Sequence, residues 1–252
     1  MINWKDRFRA SGIHLSISLV LAVLAALLVF GIWYPYPYRD ISGGRELFLI
    51  LVIVDVLLGP LITLAIFNRA KPVRLMRMDF AVIGLLQLAA LGYGLWTMFL
   101  ARPVHLVFEI YRYRVVHAVD VPTDMLKKAP TELQALPMFG PTLLSVRPFK
   151  NATERIDATL TDLGGLPIGA RPDLWQPYEA ARAQIIESLK PVSELKARVP
   201  AQAALLDEAV AATGRKAGEL GYAPMVGRRI FWTVLVDRRD ASVLAFVPVD
   251  PF

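Results

Sequence analysis

Residues 51–67 read LVIVDVLLGPLITLAIF. One ionisable side chain, Asp55, and one helix-breaking pair, Gly59-Pro60, interrupt an otherwise apolar run. A helix needs about 20 apolar residues to cross the hydrocarbon core of a bilayer, and the wider run Leu47 to Phe67 meets that length despite Asp55. How this stretch is read decides the class of the whole chain.

Two neighbouring runs answer in the same sense. Ile13 to Trp33 (IHLSISLVLAVLAALLVFGIW) and Phe80 to Leu100 (FAVIGLLQLAALGYGLWTMFL) are each long enough to span. The first is too long for a secretory signal core, and no A-x-A site comes after it. Its end runs instead into WYPYPY, whose Trp and Tyr rings suit a membrane–water interface. The chain is 55% hydrophobic with a mean hydropathy of +0.46, yet that character is concentrated before residue 101. The sequence predicts two regions: 1–100, with spans at about 13–33, 47–67 and 80–100, and 101–252, with a soluble-like composition.

Charge sets the orientation. Lys5, Arg7 and Arg9 precede the first span, and Arg69, Lys71, Arg74 and Arg77 lie between the second and third. The remaining short loop holds Arg39 and Arg45 alone. The excess of positives marks the cytoplasmic side, so three crossings carry residues 101–252 outward, to the periplasm of a bacterium with two membranes. From residue 101 onward nineteen Lys and Arg face seventeen Asp and Glu, scattered. This offers no basic stripe for nucleic acid. There is no cysteine, hence no disulfide, thiolate nucleophile or Cys-ligated zinc. His14, His105 and His117 are too dispersed for a metal site, and the last two read as partly exposed surface residues.

The outer region reads as α+β with a mainly antiparallel sheet. Val104, Leu106, Phe108 and Ile110 alternate with other residues at a period of two, and RVVHAV comes next, predicting a hairpin that turns near Tyr111 to Tyr113. Thr142 to Val146 is a further strand, and RRIFWTVLVDRRDASVLAFVPVD a second hairpin around Arg238-Arg239-Asp240. Strands from the two ends of the region are expected to share one sheet. Asn151, with Glu154 as capping-box partner, predicts a helix to Leu163, stopped by Gly164-Gly165. Amphipathic patterns predict helices from Trp175 to Lys190 and from Pro200 to Gly214. No G-x-S-x-G, H-E-x-x-H, Walker or dinucleotide pattern is present, and Glu109, Asp120, Asp124 and Glu132 have no acid/base spacing. The expectation is an interaction module, not an enzyme, with no cofactor and no metal.

Four stretches in order, RFRASGIHLSISL, VDVLLGPLITLAIFNRAKP, DFAVIGLLQLAALGYGL and RPVHLVFEIYRYRVVHAVDV, together resemble the type IV pilin accessory proteins of the TfpX/TfpZ type. The similarity is good over the first half and looser after Pro122. It implies a multi-pass inner-membrane protein that works with the major pilin and affects surface piliation rather than catalysing a reaction. Its implied partners are the pilin's membrane helix and head, the inner-membrane pilus assembly machinery and the lipid bilayer. An integral-membrane enzyme modifying pilin or another envelope substrate is the alternative, disfavoured because Asp55 and Asp79 lie far apart in depth. A membrane sensor would need a cytoplasmic output domain, and the inward segments are too short for one.

Within that frame Asp55 sits near mid-membrane. An ionised carboxylate there costs roughly 3 kcal/mol on insertion scales, so it must be neutral or face the other helices. Pro60 lacks an N–H, which predicts that the carbonyl of Val56 loses its helical partner. Thr63 and Gln87 are the nearby polar residues, and Gly59, Gly84, Gly92 and Gly94 allow close approach. Asp55, Gly59, Pro60, Thr63 and Gln87 are therefore candidates for helix packing or for holding the pilin helix. The resemblance implies that this helix carries a free amino terminus and a nearby Glu. The amine would lie about 18 Å from Asp55 at the rise of a helix, which favours the Glu or a plain apolar contact. At the exit of the third span, Arg102 either reaches headgroups or pairs with Glu109 or Asp40.

Overall fold

A computed structural model describes residues 4–252. The chain divides into two units: one up to Arg39 and Gly43–Ala101, the other Asp40–Ser42 and Arg102–Phe252.

In the first unit the three apolar runs are three helices, each long and apolar enough to cross a membrane. α1 (Trp4–Leu28) runs on through a wide turn, Val29–Trp33. α2 (Gly44–Ile66) contains a second wide turn, Ile53–Leu58, immediately before Gly59-Pro60. α3 (Val73–Leu100) is unbroken. α1 and α3 begin earlier than hydropathy suggests, so Lys5, Arg7, Arg9, Arg74 and Arg77 lie on helix rather than in loops. The outward residues are large and apolar, Leu85 at 71% and Leu27 at 65% exposure among them. A surface of this kind fits a membrane protein, because such side chains gain nothing from water.

The helices run up, down and up. At the basic end Arg69 pairs with Asp6 at 3.1 Å and Arg7 donates to the Leu64 carbonyl in the last turn of α2. That carbonyl is one a helix C-terminus leaves without an internal partner. At the other end Val29, Tyr34 and Met98 form a buried cluster, with the Tyr34 hydroxyl donating to the Met98 carbonyl at 3.0 Å. Gly94 lies so close to Leu51 that a Cβ would collide with it, whereas Gly84 and Gly92 have open space and make no close approach.

The second unit is built on one sheet ordered β4-β3-β1-β2-β6-β7-β8, with β5 paired to β6. The strands are β1 (Pro103–Glu109), β2 (Arg112–His117), β3 (Thr142–Val146), β4 (Trp175–Pro177), β5 (Lys190–Pro191), β6 (Leu220–Val226), β7 (Phe231–Asp237) and β8 (Val243–Val247). Strands from both ends share the sheet, as the sequence predicts: β2 lies beside β6. The sheet is mixed, however, not mainly antiparallel. β1 runs parallel to β3 and β2 parallel to β6. Both joins link strands separated by long connections, and a hairpin pattern speaks only for neighbours joined by a tight turn.

Other expectations change for identifiable reasons. The first hairpin turns at Ile110-Tyr111, and Tyr113 is fully buried within β2. The amphipathic stretch from Trp175 is not one helix. Trp175, Gln176 and Pro177 pair with β3, a 3-10 turn comes next, and the α-helix is confined to α5 (Arg182–Ser188). Burial of Trp175, whose indole N–H donates to the Gly169 carbonyl at 2.7 Å, outweighs helical periodicity. α4 (Ala152–Leu163) starts as predicted, the Asn151 side chain accepting from the Glu154 N–H at 2.8 Å. The Glu154 carboxylate, though, takes the Lys150 N–H and Arg147 rather than closing a capping box. Between Pro191 and Pro200 stands an unanticipated helix, α6 (Val192–Arg198), and α7 (Ala203–Ala212) occupies the helix predicted to end at Gly214.

The histidines of this unit are buried, not partly exposed: His105 at 2% and His117 at 1%. His105 meets the Thr142 hydroxyl at 2.7 Å and stands edge-on to the Trp175 ring, 4.6 Å between centroids. The alternation that assigned them to the surface assumed a sheet with one wet face, and both faces of β1 are covered.

Two features of this unit are open to measurement. Ile110 sits at φ 53°, a left-handed conformation that strains a β-branched residue. Ile110→Asn is expected to stabilise the unit by about 1 kcal/mol, read as slower exchange of the β1 and β2 amides. Burial pushes the His105 imidazole down to about 3 from its ordinary 6.5. The unfolded chain therefore takes this proton at higher pH than the folded one, so stability is full above about pH 6.5 and declines as pH falls toward 3. Amide exchange of β1 and β3 at pH 7 and pH 5, corrected for intrinsic rates, should show weaker protection at pH 5, and His105→Phe should remove much of that difference.

Candidate functional site

The polar residues of the first unit gather at the wide turn of α2. Each N–H in such a turn reaches back five residues rather than four. Pro60 has no N–H, so the carbonyl left without a donor is that of Asp55, not that of Val56 as an undisturbed α-helix predicts. Gln87 of α3 fills the gap, its Nε2 donating to the Asp55 carbonyl at 2.9 Å. Gly59 makes this possible: Gln87 lies against its Cα, where a Cβ would collide.

The bond continues into α1. Gln87 Oε1 is 2.5 Å from His14 Nε2, and His14 Nδ1 is 2.6 Å from Thr63 Oγ1. A carbonyl only accepts, which fixes the order of the chain. Gln87 turns its NH2 to the Asp55 carbonyl and its oxygen to His14, whose Nε2 therefore donates, while His14 Nδ1 and the Thr63 hydroxyl share the next hydrogen bond. Ser11 of α1 adds a bond to the Pro60 carbonyl at 2.9 Å. Every helix of the unit contributes a polar group, and each of these groups is matched.

The exception is the Asp55 side chain. It is 9% exposed, and neither carboxylate oxygen has a hydrogen-bond partner. It lines a cavity of about 200 Å³ together with His14, Ser18, Leu51, Gln87 and Leu91. It also borders a second hollow, of about 300 Å³, between α2 and α3 on the side of Gly94.

Asp55, Gly59, Pro60, Thr63 and Gln87 thus come together in one place. Ser11, His14 and Ser18 belong with them and were missed. Their spacing of three and four residues puts them on one face of α1, a polar stripe in an apolar helix that was legible in the sequence. The two exit residues part company. Glu109 is fully buried, paired with Arg112 at 3.0 Å and Arg114 at 2.8 Å, and accepts the Gly169 N–H. It is not paired with Arg102. Arg102 is itself buried at 6% exposure and donates to the Pro137 carbonyl at 3.2 Å. Among the described residues no three His, Asp or Glu stand together as a metal site.

The assignment of the freed carbonyl can be checked. Gln87→Leu should cost about 1 kcal/mol. In a Pro60→Ala background, where residue 60 regains its N–H, that cost should shrink. A double-mutant cycle on unfolding in mild detergent measures it, and strict additivity would refute the assignment.

Known proteins resemble this chain in sequence. A family model described as fimbrial assembly protein FimB matches residues 2–43. The fimbrial assembly protein of serogroup I from Dichelobacter nodosus is 35% identical over 254 residues, 98% of this chain and 98% of that protein. The serogroup E1 protein of the same organism is 34% identical with the same coverage. The protein of serogroups C1 and C2 is 40% identical over 129 residues, 50% of this chain and 98% of that one. No solved structure matches.

Proposed function

The chain belongs to the fimbrial assembly protein family, and on that premise we propose that it is a non-enzymatic accessory factor of the bacterial inner membrane that binds type IV pilin and aids its assembly or surface display. In this reading α1, α2 and α3 cross the membrane, with the basic end in the cytoplasm and the second unit in the periplasm. The helices hold the membrane segment of a pilin subunit, and the second unit meets its head. Binding releases the subunit to the assembly machinery, so the interface is of modest size and partly polar.

One observation carries the reading. A buried carboxylate in an apolar setting is costly without a partner, and Asp55 has none although His14, Thr63 and Gln87 beside it are bonded to one another and to its backbone. A helical unit built only to pack would have apolar or paired side chains there. The relatives' printed names support fimbrial assembly as the process served.

Two experiments test it. Alkaline phosphatase fused after Phe252 should be active, and an inactive fusion with a fluorescent cytosolic reporter would overturn the topology. Photocrosslinking in cells from α2, α3 and residues 226–249 should capture the major pilin, and a covalently altered pilin released by the protein would favour an enzyme instead.

A further inference from the structure

The first unit is open on one side. α1 packs along the second half of α2, and α3 packs on α2 from its other flank. α1 and α3 come together at the far end, at Val29, Tyr34 and Met98. Nearer their beginnings the His14–Gln87 hydrogen bond spans the space between them. There the hollow at Asp55 joins a groove of about 740 Å³ through shared walls, His14, Ile17 and Gly84. The groove widens toward the basic end, where Asp6, Arg9 and Arg69 stand at its mouth. The result is a slot with α1 and α3 as walls and α2 as floor, apolar along its length, with one unpartnered acid at its inner end.

We propose that this slot receives a single apolar helix of another membrane protein, and that the helix presents one hydrogen-bonding side chain to Asp55. The inference rests on the pilin-binding reading but goes further, assigning the contact to the α1–α3 side and stating what the occupant must carry. The chemistry selects the occupant. A lipid tail fills an apolar slot but has no donor to offer a carboxylate at that depth. A helix satisfies both demands, covering the apolar walls and bringing one polar group whose alternative, in hydrocarbon, is to remain unmatched. Gly84 leaves open space at the wall for close approach of the incoming backbone. Gln87 and His14 stand beside Asp55, but Gln87 donates to the Asp55 carbonyl and His14 Nε2 to the Gln87 oxygen, not to the carboxyl. The carboxyl is left facing the slot.

The absence of cysteine gives a clean background for site-specific probes. A photoreactive residue placed at Leu88, which lines the slot, is compared in cells with one at Leu86 of the same helix, 65% exposed and outside the slot lining. The expected result is an adduct from Leu88 with an identified membrane-spanning protein, joined within its apolar helix, and at least tenfold less from Leu86. Asp55→Leu should reduce the Leu88 adduct at least tenfold while raising the unfolding temperature of the purified full chain, because an unpartnered acid has been removed. Asp55→Asn, which still forms hydrogen bonds, should keep most of the adduct. A structural role would instead lower stability in both variants and leave their adduct yields in proportion to folded protein. Adducts of equal yield from Leu88 and Leu86, adducts with phospholipid alone, or capture indifferent to Asp55→Leu would overturn the slot. If the captured helix belongs to an identified membrane protein other than pilin, the slot stands and the pilin reading falls.

Discussion

A proline in an apolar helix removes one N–H, and the first unit is organised around the carbonyl that loses it. Because α2 widens before Pro60, the group to be matched is the Asp55 carbonyl, and only a neighbouring helix can supply the donor. Gln87 supplies it at the expense of any side chain on residue 59, and its oxygen must then be matched in turn. His14 and Thr63 complete the sequence. One missing hydrogen thus ties three helices together where hydrophobic burial could not, since apolar helices in hydrocarbon gain little from touching.

The second unit pairs its buried carboxylates. Glu109 has two guanidinium groups and a backbone N–H, and Gly169 is needed there because a Cβ would press on the carboxylate. Asp237 is fully buried against Arg239 at 2.7 Å and Arg215 at 3.1 Å, and the Arg239 hydrogen bond holds its carboxyl down at about 2. Arg171 is gripped by Asp157 and Asp173. Against this background of matched ions, the bare carboxyl of Asp55 stands apart. A chain that pairs the buried carboxylates of Glu109 and Asp237 leaves that of Asp55 open where an apolar slot begins.

Much of the architecture was legible. Apolar runs of spanning length give three helices because nothing else satisfies their backbones without water, and the tail hairpin declares itself through two apolar strands around a charged turn. Pro191, Pro200 and Gly214 mark the ends of segments by removing donors or accepting a positive φ. The readings that failed did so where packing overrode pattern. His105 and His117 alternate like surface residues, and Trp175 opens a helical period, but each is drawn into a core formed by strands distant in sequence. The parallel joins β1–β3 and β2–β6 depend on long connections that carry no local signal.

For the site, the sequence by itself determined that an acid, a helix break and a glutamine must coexist in hydrocarbon-like surroundings, because residue identity and hydropathy are local properties. It also held the polar stripe of Ser11, His14 and Ser18 on α1. Only the tertiary structure decided which groups satisfy one another: that Pro60 exposes the Asp55 carbonyl rather than that of Val56, that Gln87 is spent on it, and that the Asp55 carboxyl is consequently left over. Hydrogen bonding is a matching among all neighbours at once, and the neighbours here come from three helices whose register no single stretch of sequence encodes.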